Sequence, residues 1–115
     1  MEKQKVITVN NQQWRLNVPS IQSKTKAYSV LSVMTSGQYD NMVRSSNKDI
    51  RDTADLAFKS SILQANVEKL NKDGEVDYEF YFFELQEEDK DLINKLYKEW
   101  SDFSSSFRKD THPEE

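Results

Sequence analysis

Hydrophobic and polar residues alternate near the start of the chain in a pattern that predicts a β-hairpin over residues 5–18. Asn10-Asn11 lies between the two alternating runs, and asparagine tolerates the positive φ angles that a tight hairpin turn requires. Pro19 ends the second run because it cannot donate a hydrogen bond to a β-ladder, and Ser20 is a suitable helix N-cap. The residues that recur at every second position are Val6, Thr8, Trp14, Leu16 and Val18.

The middle of the chain follows the helical period. A helix is predicted from Ser20 to about Met34, ending near Gly37, and its apolar face comprises Ile21, Ala27, Tyr28, Leu31 and Met34. Tyr39, Met42 and Val43 fit a single helical turn. A longer, central helix is predicted over residues 49–71, with Asp49 as its cap.

The last third of the chain carries nine of the thirteen aromatic residues. Asn71-Lys72-Asp73-Gly74 predicts a turn, and residues 76–83 after it predict an aromatic-rich strand. If this segment is extended, Phe80 and Phe82 point one way, whereas Tyr81 and Phe83 point the other. The strand then either crosses the core or presents an aromatic patch to a partner. A helix is predicted over residues 87–107, where Glu87-Glu88-Asp89 suits the positive end of the helix dipole.

These elements indicate an α+β fold, in which an N-terminal hairpin and one aromatic-rich strand pack against about three helices. A chain of 115 residues has the size of one domain. We therefore expect a single domain over residues 1–107, followed by a disordered C-terminal tail over residues 108–115.

The charge is distributed unevenly along the chain. Residues 1–74 carry 11 Lys and Arg against 7 Asp and Glu, whereas residues 75–115 carry 5 against 13. The two halves could therefore attract each other within the fold or between copies. The aromatic residues are interleaved with acids rather than bases, which argues against nucleic-acid binding. The sequence has no apolar run long enough to cross a membrane.

The sequence contains few of the residue types on which common catalytic sites depend. His112 is the only histidine and falls in the predicted tail, and the chain has no cysteine and only two glycines. A histidine-dependent catalytic site, a Cys/His zinc site and a glycine-rich phosphate loop are thereby excluded. We expect neither enzymatic activity nor a cofactor or metal. The lack of cysteine is compatible with a reducing cytoplasm.

The hairpin with its Pro-Ser helix entry, Val9-Asn10-Asn11-Gln12-Gln13-Trp14-Arg15-Leu16-Asn17-Val18-Pro19-Ser20, resembles the start of small tailed-phage proteins that act in tail or baseplate assembly, including tail assembly chaperones. Those proteins often begin with a hairpin of the pattern xVNGKxYxLxxPS and are mostly helical beyond it. The acidic entry at residues 83–89 and the helix after it add to the likeness. Here Asn11-Gln12-Gln13 replaces the usual Gly-Lys turn, and the aromatic segment has no counterpart in the resemblance.

The resemblance implies a non-enzymatic protein that binds other phage tail or baseplate proteins in the host cytoplasm, or within the virion tail. Self-association is a further open expectation. The candidate binding residues are the aromatic side chains of Tyr81, Phe83, Trp100 and Phe103, although Trp100 also suits the core. The alternative is an acidic inhibitor of a host protein, of the anti-restriction or anti-CRISPR type, that acts by nucleic-acid mimicry.

Overall fold

The computed structural model describes the backbone of residues 3–111 and the side chains of residues 3–106. The fold is α+β, as predicted, and begins with the expected hairpin. Three strands form one antiparallel sheet in the order β1-β2-β3. The strands are β1 (Gln4–Val9), β2 (Gln12–Asn17) and β3 (Val67–Leu70). The α-helices of the described residues are α1 (Ile21–Met34), α2 (Tyr39–Val43), α3 (Lys48–Asn66) and α4 (Lys90–Thr111).

The hairpin turn forms where the sequence predicts it. Asn10 and Asn11 have φ angles of 54° and 63°, the left-handed values that a two-residue turn between twisted strands needs. This turn places Ile7 opposite Trp14, so the two side chains share the core face of the sheet. In the first strand, Ile7 and Val9 therefore face the core, whereas Val6 is 52% exposed. The residues predicted for the core face of this strand, Val6 and Thr8, therefore lie on its solvent face.

The central helix ends earlier than predicted. It begins at Lys48, with the Asn47 side chain accepting hydrogen bonds from two backbone N–H groups, and it ends at Asn66 rather than at residue 71. The next four residues, Val67–Leu70, are the third strand and pair with β2. Four residues with apolar side chains at each end fit a helix or a strand equally well. These residues form a strand because they pair with the edge of β2 that β1 leaves free.

The aromatic segment is not the predicted strand. Residues 76–83 make one isolated bridge, Leu70 to Val76, and then turn away from the sheet. The Asp77 side chain accepts a hydrogen bond from the Glu79 N–H at 3.0 Å, which stabilises a turn. A 3₁₀ turn follows at Phe82–Glu84. The α+β class is correct, but the third strand is formed by residues that were predicted to be the end of the central helix.

The last helix starts and ends later than predicted. Residues Glu87–Asp89 form a 3₁₀ turn, and α4 runs from Lys90 to Thr111. Residues 108–111 of the predicted disordered tail are therefore helical in backbone. Residues 112–115, including His112, lie outside the described residues.

The core lies between the sheet, α3 and α4. Its buried side chains are Trp14, Leu16, Leu63, Val67, Phe82, Ile93, Leu96 and Trp100. The central position predicted for the long middle helix is confirmed, since α3 contacts α1, α2, α4 and β3. Trp14 is a core residue, as predicted, and is 2% exposed. α1 packs against α3 at the edge of this core, which leaves part of its predicted apolar face in solvent.

Candidate protein-binding site

The segment from Val76 to Glu84 is anchored in the core by every second aromatic residue. The rings of Phe80 and Phe82 meet edge to face, with centroids 4.9 Å apart. Both also contact Trp14, at 5.4 Å and 5.6 Å between centroids. Phe82 is only 2% exposed. Aromatic pairs in these geometries are more favourable than their buried area alone suggests, so this side of the segment is held firmly.

Polar contacts fix the same segment to its neighbours. The Phe82 N–H donates to the Gln64 side-chain oxygen at 2.7 Å. Lys69 lies over the Phe80 ring at 5.2 Å and contacts the Asp77 carboxylate at 3.8 Å. The backbone of the aromatic segment is therefore tied to both α3 and β3, although it forms no regular strand.

Tyr81 and Phe83 lie on the opposite side of this segment and face solvent. They are 40% and 43% exposed, and their ring centroids are 5.2 Å apart. We call this pair the aromatic patch. Exposed acids adjoin it in sequence, including Glu79 and Glu84. The alternation predicted for residues 80–83 is thus confirmed, even though the expected strand is absent from this segment.

The other two candidate binding residues belong to the interior of the molecule. Trp100 is 8% exposed, and its indole N–H donates to the backbone oxygen of Asn17 at 2.9 Å. Phe103 is partly buried against the core. Contrary to expectation, Trp100 therefore does not share an exposed face with Tyr81 and Phe83, because the end of β2 and the core cover most of its ring; its remaining surface lines the cleft described below. Replacement of Phe103 would disturb packing before it disturbed an interface.

Sequence patterns did not reveal an apolar cleft of about 290 Å³ between α1, α3 and α4. Its walls include Ala27, Tyr28, Leu31, Phe58, Ile62 and Trp100. Lys24 and Asn66 also line it. The helix α1 carries residues from the predicted apolar face that remain in solvent, because Ile21 is 87% exposed and Tyr28 is 75% exposed. Of these two residues, Tyr28 lines the cleft, and its exposure becomes apparent only from the packing of the helices.

Five carboxylates in the described part of the chain form ion pairs with nearby bases. Arg15 contacts Glu68 at 2.7 Å across the sheet, and Lys48 contacts Asp52 at 2.6 Å along α3. The hydrogen bond between the latter two groups lowers the pKa of the Asp52 carboxyl and raises the pKa of the Lys48 ammonium. Further pairs are Lys59–Asp55, Lys69–Asp77 and Lys98–Asp102.

Within the part of the chain that the structure describes, no group of three or more His, Cys, Asp or Glu residues is placed to hold a metal ion. No helix among residues 3–111 combines the length and apolar character needed to cross a bilayer. The described residues do present two partly exposed apolar surfaces, the aromatic patch and the cleft. Comparison with protein-family models, curated proteins and solved structures found no match to this chain.

Proposed function

We propose that this protein is a non-enzymatic binding protein that recognises an apolar surface of another protein through the aromatic patch. The observation that supports this is the anchored segment. Phe80 and Phe82 hold the backbone in the core, so Tyr81 and Phe83 are presented to solvent in a fixed arrangement. A preorganised surface loses little conformational entropy on binding, and tyrosine and phenylalanine provide much contact area with few rotatable bonds.

The free energy that burial of the aromatic patch can contribute limits how strong a contact the patch alone can make. Full burial of a large aromatic side chain contributes about 1.5–3 kcal/mol, and each of these two is already more than half covered. The two together therefore contribute about 2 kcal/mol. A stable contact needs further surface around the patch, or many copies acting together.

The resemblance of the hairpin and its helix entry extends the proposal to particular partners. We place the protein among factors that act in phage tail or baseplate assembly, with tail or baseplate proteins as partners and the host cytoplasm as the place of action. A contact repeated between several copies would compensate for a modest energy at each site.

The acidic-inhibitor hypothesis is the second candidate. It draws support from the excess of acids in residues 75–115. Within the described part of this acidic stretch, Asp77 and Asp102 form ion pairs with lysines, which removes two of the carboxylates that a basic groove would contact. A mimic of nucleic acid would offer these carboxylates unpaired.

The test is capture of partners by tagged protein from a phage-infected lysate, with parallel washes at low and high salt and identification by mass spectrometry. The double variant Tyr81→Ser/Phe83→Ser removes the patch. The control variant Ile21→Ser/Val33→Ser removes two side chains that are 87% and 80% exposed on α1. Circular dichroism verifies that both variants are folded.

We expect the wild-type protein and the control to retain tail or baseplate proteins at high salt, because apolar burial is weakly screened, and the patch variant to lose them. Recovery of a basic host protein only at low salt would favour the inhibitor instead. Equal recovery by all three proteins would show that the patch is not the binding site.

A further inference from the structure

The turn at residues 77–80 presents a tyrosine well away from the core. Tyr78 is 80% exposed, although the residues on either side of the turn are held in place. Asp77 contacts Lys69, and its side chain accepts from the Glu79 N–H at 3.0 Å. Phe80 packs on Trp14 and closes the turn through its N–H to the Asp77 carbonyl at 3.3 Å. The turn therefore holds an exposed phenol beside an exposed carboxylate.

The cleft between α1, α3 and α4 offers complementary chemistry. Its walls are largely apolar and Lys24 lies at its edge, exposed to solvent. Asn66, which also lines the cleft, is 3% exposed, and its side-chain N–H donates to the Ile62 carbonyl at 2.9 Å. The Asn66 Oδ1 has no hydrogen-bond partner among the side chains and backbone that the structure describes. A buried acceptor without a donor is unfavourable, so a ligand that supplies a donor is favoured.

We propose that the cleft of one copy binds the Tyr78 turn of a second copy. The phenol ring enters between the apolar walls, its O–H donates to the Asn66 Oδ1, and the Glu79 carboxylate pairs with the Lys24 ammonium. The overall charge agrees with this, since the cleft is built mainly from the basic half of the chain and the turn belongs to the acidic half.

The turn and its cleft cannot meet within one molecule. Tyr78 lines a hollow on the Lys26 side of α1, whereas the cleft lies on the Lys24 side. Two residues along an α-helix correspond to a rotation of about 200°, so these two side chains point in nearly opposite directions. The contact is therefore head to tail, and each copy can bind one neighbour on each side. Such a contact produces rings or open filaments rather than closed dimers.

Sedimentation velocity of the purified protein over a range of concentrations tests this proposal. The wild-type protein should associate as its concentration rises. Tyr78→Ser should weaken association about 30-fold, the effect of truncating an interface tyrosine at a hot spot. Lys24→Glu should weaken it through charge repulsion. The matched controls are Val33→Ser, which removes a side chain of α1 that is 80% exposed, and Lys5→Glu, which makes the same charge change at an exposed position of β1; neither residue lines the cleft or the hollow beside Tyr78, and both variants should associate as the wild type does.

A mixing experiment identifies the head-to-tail arrangement. Tyr78→Ser retains an intact cleft, and Lys24→Glu retains an intact turn. At a concentration where the wild-type protein is associated and the weakened variants are not, each variant alone should be monomeric, and an equimolar mixture should form a 1:1 dimer that grows no further. A wild-type protein that remains monomeric at all concentrations would overturn the proposal, as would association that Tyr78→Ser leaves unchanged. Because only purified protein is used, failure here is independent of partner capture by the aromatic patch.

Discussion

Replacement of Phe82 by alanine should remove the main anchor of the aromatic segment. The side chain is 2% exposed and its ring contacts the rings of Trp14 and Phe80 at 5.6 Å and 4.9 Å. Transfer of a buried phenylalanine to water costs up to about 3 kcal/mol, and the cavity left behind raises the total to about 3–5 kcal/mol. A domain of this size is stable by only about 5–15 kcal/mol, so the loss is a large fraction of the whole.

Urea unfolding followed by tryptophan fluorescence measures this loss, because Trp14 and Trp100 are both buried and become exposed on unfolding. With a denaturant slope of about 1.5 kcal/mol per molar urea, the midpoint should fall by about 2–3 M. The neighbouring substitution Phe83→Ala is the matched control. Phe83 is 43% exposed, so the expected loss is about 1 kcal/mol.

The comparison of these two variants tests which side of the segment faces the core. If Phe83→Ala lowers the midpoint as much as Phe82→Ala does, both sides of the segment are buried and the aromatic patch does not exist. A loss below about 1.5 kcal/mol for Phe82→Ala would show that the segment is not anchored through this ring.

Three further substitutions test other contacts. Ser20→Ala removes the side chain that caps α1, so the free energy of unfolding should fall by about 1 kcal/mol and the melting temperature by about 3–5 °C in a calorimetric scan. Trp100→Phe deletes the hydrogen bond to the Asn17 oxygen, and urea unfolding should show a loss of about 1–3 kcal/mol; an unchanged midpoint would refute this link between α4 and β2. Burial, with added repulsion from nearby acids, raises the pKa of Tyr39, so the stability that this neutral phenol confers is present below the ordinary tyrosine pKa and lost as the pH rises through the raised one. Tyr39→Phe keeps the ring stacked on Phe58 and should make the urea midpoint less sensitive to alkaline pH; an equal pH dependence in both proteins would contradict the shift.

The aromatic patch was partly predictable from sequence. Alternation along residues 80–83 separated Phe80 and Phe82 from Tyr81 and Phe83, and the structure places the first pair inward and the second outward. The alternation survives because successive side chains still point to opposite sides of this segment, even without a sheet. From its sequence position Trp100 suits either the core or an interface, and the packing of α4 against β2 shows that most of its ring is buried.

The cleft lay beyond sequence-based reasoning. The helical period gave α1 an apolar face that included Tyr28, and a face of that kind is ordinarily buried. Its exposure depends on how closely α3 and α4 approach α1, which involves residues far apart along the chain, such as Phe58 and Trp100.

Features that depend on neighbouring residues can be predicted from the sequence alone. The hairpin turn follows from two asparagines that accept positive φ, and the start of α1 follows from a serine beside a proline. The origin of the third strand depends instead on tertiary contacts. The pattern of Val67–Leu70 is compatible with a helix or a strand. The strand is favoured because its backbone N–H and C=O groups pair with those along the free edge of β2. Local conformation is set by short-range sterics and hydrogen bonds, whereas strand pairing, the cleft and the burial of Trp100 depend on contacts between distant segments.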